Sequence, residues 1–154
     1  LSRTGLGFPV SRTIETIIMV DFGINVLLVD DYVPVRRTLR GLLQQIGFRN
    51  VDDAGDADTA MAKLQERPFG LVISDWKLES TSGLEFLKAL RADGRLGSTP
   101  FIMVTAYGGA PDVMAAKEAG VNAYIVKPFN ASTLRKKIEA VLCVFEVPDL
   151  ERAV

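Results

Sequence analysis

Short apolar runs alternate along this chain with longer stretches in which apolar residues recur every three or four positions. Val26–Val29, Gly70–Ser74, Pro100–Val104 and Ala123–Val126 are nearly continuous in apolar character, the pattern of strands buried on both faces. A weaker strand is predicted at Val51–Ala54. Between them, Val35, Leu39, Leu42, Leu43 and Ile46 mark a helix over Pro34–Ile46. Pro34 suits its first turn and Gly47 its stop. Asp56 is placed to cap a second helix with Ala57, Ala60, Met61 and Leu64 on one stripe, because its carboxylate can accept from a free N–H of the first turn. Ser82–Ala92 forms a third helix with Leu84, Leu87 and Leu90 inward, and Pro111–Ala119 a fourth, ended by Gly120. Asn130–Leu142 forms the last, burying Leu134, Ile138, Val141 and Leu142. Strands alternating with helices predict an α/β fold with parallel pairing, right-handed crossovers and helices on both faces of the sheet.

Composition narrows the chemistry more than the fold. The chain has 154 residues, ordinary for one domain, and a formal net charge of −1, which gives no overall attraction to nucleic acid or anionic membrane. A single cysteine, Cys143, excludes an internal disulfide framework and suits a reducing cytosol. No apolar stretch approaches the length of a membrane span. There is no histidine, which excludes Ser-His-Asp and Cys-His nucleophile systems and His-ligated zinc. Any phosphohistidine chemistry must use a partner's histidine. Residues 24–142 are expected to form the domain, with 1–23 as an N-terminal extension and 143–154 as a short tail. Met19 would make an ordinary start, so residues 1–18 are expected to be an upstream extension or a cloning-derived segment; the mass of the native protein checks this.

Candidate chemistry sits where the predicted strands end. Asp30-Asp31, Asp75, Thr105 and Lys127 each follow or close an apolar run, and open α/β sheets bind ligands at the carboxyl ends of their strands. Three carboxylates brought together repel, and a hard divalent cation is the usual remedy. Asp75 is the candidate nucleophile, since a carboxylate attacking phosphorus gives an acyl phosphate. Lys127 would pair with a phosphate oxygen as a point charge, and Thr105 would donate a hydroxyl hydrogen bond. Each residue alone has an ordinary role: turn and cap for Asp30-Asp31, cap for Asp75, strand residue for Thr105, turn for Lys127-Pro128. Their joint placement at four strand ends selects phosphoryl transfer. The clusters Arg36-Arg37-Arg40 and Arg135-Lys136-Lys137 are expected to be solvated helix faces, and no nucleic-acid-binding motif is visible.

The stretch from Ile24 to Leu142 resembles the receiver domain of two-component response regulators, nearest to the CheY-like chemotaxis branch. The resemblance rests on Val29-Asp30-Asp31, Ile73-Ser74-Asp75-Trp76, Val104-Thr105-Ala106 and Val126-Lys127-Pro128-Phe129, with Gly83-Leu84-Glu85-Phe86-Leu87 and Leu90-Arg91-Ala92-Asp93-Gly94 in support. It implies a flavodoxin-like, CheY-like five-stranded parallel sheet in the order 2-1-3-4-5. It implies that Asp75 is the phosphoacceptor for a histidine kinase or phosphotransfer protein. Mg²⁺ (or Mn²⁺) would be held by Asp30, Asp31, Asp75 and the Lys77 backbone carbonyl, and Lys127-Pro128 would be cis. Thr105 and Tyr124 would form a switch altering the face built from the fourth helix, fifth strand and fifth helix.

The resemblance further implies a monomeric, cytoplasmic, single-domain regulator that catalyses its own phosphorylation and dephosphorylation and is not otherwise an enzyme. Its sharpest version is chemotaxis, with the flagellar motor as output. The alternatives are a phosphate sink without output and a phosphorylation-independent pseudo-receiver. A small-molecule aspartyl phosphatase is disfavoured because Asp75 is followed by Trp76-Lys77 rather than the Asp-x-Asp pattern, and a dehydrogenase because no Gly-x-Gly-x-x-Gly follows the first strand. The chain departs from the family pattern at Lys77 (usually Asn in this branch), Glu79 (usually Pro) and Ser82 (often Asp). Lys77 is expected to compete with the metal, and Tyr107 either gates Asp75 or is an exposed loop aromatic. Trp76, directly after Asp75, should sense charge changes there.

Overall fold

The computed structural model describes residues 20–142, together with the backbone of two short strands, Thr16–Ile18 and Glu146–Pro148. Phe22–Val141 form one compact unit, and Leu1–Asp21 with Leu142–Val154 a second. In the second unit the two short strands pair antiparallel, Thr16 opposite Pro148 and Ile18 opposite Glu146. The sequence pattern predicts no element at either place, because three residues are too few to show a period. The remainder of 1–18 and of the tail, Cys143 included, lies outside the described residues.

The main unit is built from β1 (Asn25–Val29), α1 (Val33–Ile46), β2 (Asn50–Ala54), α2 (Ala57–Glu66), β3 (Leu71–Ser74), α3 (Gly83–Ala92), β4 (Phe101–Thr105), α4 (Ala110–Ala119), β5 (Ala123–Val126) and α5 (Ala131–Leu142). Its five strands are all parallel, in the order β2-β1-β3-β4-β5, as the resemblance implies. The three central strands are buried along nearly their whole length, which explains their unbroken apolar runs.

Side chains alternate across each strand. Leu27 and Val29 of β1, Val72 of β3, and Phe101 and Met103 of β4 join α2 and α3 in one core cluster. Leu39 and Leu43 of α1 and Leu134 and Ile138 of α5 are buried outside that cluster. The predicted inward stripe of α3 needs correction. Phe86, Leu87 and Leu90 are buried, whereas Leu84 is only half-buried. The Phe86 ring packs against Phe101 at 5.7 Å between centroids, and its larger area outweighs that of Leu84.

Asp56 and Gly120 act at helix ends as the sequence predicts, and two further side-chain caps appear. Asp56 caps α2 by accepting from the Thr59 N–H at 2.7 Å, Ser82 caps α3 at Glu85, and Asn130 accepts from Thr133 at 2.9 Å ahead of α5. Gly120 ends α4 at φ 97, in the left-handed region where glycine carries no Cβ penalty.

The loop between β3 and α3 is drawn tight. The Gly83 N–H donates to the Trp76 carbonyl at 2.5 Å, and Lys77 bridges to Ser82. A Cβ on Gly83 would lie 2.1 Å from the Asp75 carbonyl oxygen, a backbone atom with little freedom to retreat. Gly83→Ala is therefore expected to destabilise the fold by about 1–3 kcal/mol, measured by urea denaturation; a variant as stable as the parent would show that the loop has slack.

Candidate functional site

Parallel register carries the predicted residues to one edge of the sheet. Val29 pairs with Ser74 and Thr105 with Val126, so Asp30, Asp75 and Lys127 each stand one residue beyond a strand end, beside Thr105. The Lys127 ammonium lies 3.1 Å from Asp75 Oδ2 and 3.7 Å from Asp30 Oδ2. One cation thus serves two carboxylates from different strands. The Lys127-Pro128 bond is cis.

The two carboxylates are held by their own turns as well. Asp30 Oδ1 accepts from the Tyr32 N–H at 2.9 Å, and Asp75 Oδ1 accepts from the Trp76 N–H at 2.6 Å. The turn role that Asp30 would play in any protein is therefore present beside its place in the cluster. Asp30 is only 3% exposed. Burial pushes its carboxyl pKa above the ordinary range and the nearby Asp75 charge adds to the rise, while the Tyr32 N–H and Lys127 oppose it.

Asp31, next in the chain, is exposed, as is Lys77. Among the described residues, no three Asp, Glu, His or Cys side chains are gathered as a metal-holding group. The structure brings together two of the three expected carboxylates, with Lys127 between them. Two carboxylates from adjacent strand ends, with Asp31 next in the chain, are oxygen donors of the kind a magnesium-sized cation takes, since such an ion is commonly held by one or two carboxylates with water and phosphate oxygens completing its shell.

Thr105 is fully buried, and its Oγ1 accepts from the Tyr107 N–H at 3.2 Å. Its carbonyl accepts from the Lys127 N–H at 2.8 Å. The Tyr124 hydroxyl donates to the Tyr107 carbonyl. Burial, followed by the charges of Asp112 and Asp75, pushes the Tyr124 pKa up and keeps the group protonated as a donor. Trp76 meets both Tyr107 and Tyr124 edge-on, each at 6.4 Å. Tyr107 is 45% exposed, so it is a surface residue that nonetheless packs on the tryptophan beside Asp75.

The arginines of α1 overturn one expectation. Arg36 and Arg40 are not a solvated face. Arg36 donates to the Asp30 carbonyl at 2.5 Å, and Arg40 to Asp53 Oδ2 at 2.8 Å and to the Val51 carbonyl. The helical period of the charges hides this, because both long side chains fold back over β2. Asp53 carries no mark in the sequence beyond its pairing with Asp52 in a strand that also holds Asn50.

The sequence profile described as "Response regulator receiver domain" matches residues 26–139. The chain is 40% identical over 117 residues to the chemotaxis protein CheY of Pseudomonas aeruginosa, covering 76% of this chain and 94% of that protein. It is 39% identical over 117 residues to the chemotaxis protein CheY-3 of Vibrio cholerae, covering 76% of this chain and 90% of the relative. Among solved structures, Vibrio cholerae CheY4 superposes with a TM-score of 0.73 at 35% identity, covering 78% of this chain and 99% of the other. A putative response regulator from Chloroflexus aurantiacus superposes with a TM-score of 0.74 at 28% identity, covering 78% and 98%.

Because the Asp30 pKa is raised above its value in the unfolded chain, the ionised side chain costs stability; the cost is absent below the unfolded value, grows as pH rises past it, and is complete above the folded pKa. Asp30→Asn is expected to raise the thermal midpoint by a few degrees in metal-free buffer at neutral pH. The gain should vanish as pH falls below the ordinary carboxylate value of 3.8. A lower midpoint at neutral pH would show that the contacts of the charged Asp30 side chain with the Tyr32 N–H and Lys127 outweigh the cost of burying it.

Proposed function

The chain belongs to the response regulator receiver domain family, and we propose that it relays a signal by accepting a phosphoryl group on Asp75 from the phosphohistidine of a histidine kinase or phosphotransfer protein. The observation that carries this reading is the Lys127 ammonium set between Asp75 and Asp30, at 3.1 and 3.7 Å.

In the forward step a carboxylate oxygen of Asp75 attacks phosphorus. The phosphorus–nitrogen bond breaks, and its electron pair returns to the partner's imidazole. Lys127 then moves its charge from the carboxylate to a phosphoryl oxygen, and the Thr105 hydroxyl donates to another. Both stabilise charge that develops in the transition state, where phosphoryl transfer is mainly catalysed. Mg²⁺ (or Mn²⁺), held by Asp30, Asp31, Asp75 and the Lys77 carbonyl, would supply the remaining positive charge. In the return step water attacks phosphorus, releasing phosphate and restoring the Asp75 carboxylate.

The output follows from what Thr105 touches. Drawing its hydroxyl toward a phosphoryl group disturbs the Tyr107 N–H bond, and the Tyr107 carbonyl holds the Tyr124 hydroxyl. The change therefore reaches β5 and the α4-β5-α5 face, a two-state element biased by a local charge. The likeness to chemotaxis proteins favours a motor-type output partner met by protein contact in the cytoplasm. No described helix is long and apolar enough to cross a membrane.

Trp76 fluorescence with Mg²⁺ and a small phosphodonor tests the assignment. A response is expected in the parent and none in Asp75→Asn; Mg²⁺ binding without a phosphodonor response in the parent would point to a pseudo-receiver. Lys77 is exposed two residues after Asp75, and on this reading its charge competes with the cation. Lys77→Asn is expected to tighten Mg²⁺ binding several-fold and to change the dephosphorylation rate, and unchanged values would remove Lys77 from the mechanism.

A further inference from the structure

The acidic turn after β1 is gripped by the helix it leads into. Arg36, near the start of α1, sends Nη1 back to the Asp30 carbonyl at 2.5 Å. Its Nε faces Asp53 Oδ1 at 3.6 Å, and this buried nitrogen has no hydrogen-bond partner. With only 16% of the side chain exposed, the guanidinium has given up most of its hydration without satisfying every donor, an arrangement that costs free energy. What it secures is the turn. Asp30 is already tied on its amide side, where its N–H donates to the Ala54 carbonyl at 3.2 Å. Arg36 ties the carbonyl side, so the Asp30 peptide units are fixed from β2 and from α1 at once. The Asp30 carboxylate is then aimed by the Tyr32 N–H.

We propose that Arg36 is the positioning residue of the Asp30-Asp31 turn: by holding the Asp30 carbonyl and leaning on Asp53, it sets the direction in which that turn presents oxygen to a divalent cation. This rests on the reading above that the turn binds the cation. Residues that orient metal ligands typically change metal affinity about 10–100-fold when replaced. Arg40 provides the internal comparison. It bonds the same Asp53 and the Val51 carbonyl, and so stitches α1 to β2 without gripping Asp30.

The test is a Mg²⁺ titration followed by Trp76 fluorescence, with amide hydrogen exchange at Asp30 and Tyr32, on the parent, Arg36→Met, Arg36→Lys and Arg40→Met. Arg36→Met is expected to weaken Mg²⁺ binding about tenfold and to speed exchange at both amides. Arg36→Lys should fall between, because an ammonium keeps the charge but lacks the planar fork. It carries the comparison alone if the methionine variant does not fold. Arg40→Met is expected to titrate and exchange like the parent. Parent-like behaviour of the Arg36 variants, or an equal loss in Arg40→Met, would overturn the proposal by reducing Arg36 to general packing. If the parent itself gives no Mg²⁺ response, the cation reading fails separately. Exchange then decides: unchanged protection at Asp30 and Tyr32 without Arg36 overturns the positioning role as well.

Discussion

Asp30 and Asp75 carry like charges, come from different strands, and share one ammonium. Left in water, such carboxylates would move apart. Here β1 and β3 are adjacent parallel strands, paired from Val26 with Leu71 to Val29 with Ser74, so the residues that follow emerge side by side whatever their charge. Lys127 arrives from β5 to offset the repulsion. The sheet is held by a core of fully buried Leu, Val, Ile and Phe side chains, and that burial allows it to force the carboxylates together. The electrostatic tension at its edge suits a site made to receive a cation and a phosphoryl group.

The surrounding residues read as devices that hold this tension without relieving it. The Tyr32 and Trp76 amides each take one carboxylate oxygen. The tight Gly83 approach closes the loop behind Asp75. Arg36 and Asp53 brace the Asp30 turn from behind. On the far side, Thr105, Tyr107 and Tyr124 form a chain of hydrogen bonds leading from the buried strand end to β5. Trp76 packs on both tyrosines, so one aromatic cluster joins the residue after Asp75 to Tyr107 and Tyr124.

Much of this was legible in the sequence because it is written in local periods. Unbroken apolar runs mark strands buried on both faces, and the polar residue that ends each run marks one edge of the sheet, so the meeting of Asp30, Asp75, Thr105 and Lys127 could be expected without coordinates. Strand order could not, since periodicity says nothing of which strands are neighbours; it came from family likeness. Arg36 was expected on a solvated face and Asp53 carried no mark, because their role depends on one helix lying over one strand, a contact with no local signature. Leu84 was expected inside in place of Phe86 because both fit the helical period, and only the partner Phe101 separates them. Asp31, expected to converge with the other carboxylates, is exposed here beside a pair already sharing Lys127.

The central claim is that the charge crowded at this edge exists to take a phosphoryl group on one side chain. Mapping the modified residue by mass spectrometry, after reaction with a small phosphodonor and Mg²⁺, tests it most directly. The account predicts a single phosphoryl group on Asp75. A label on any other residue, or none while the cation is shown to be bound, would contradict it.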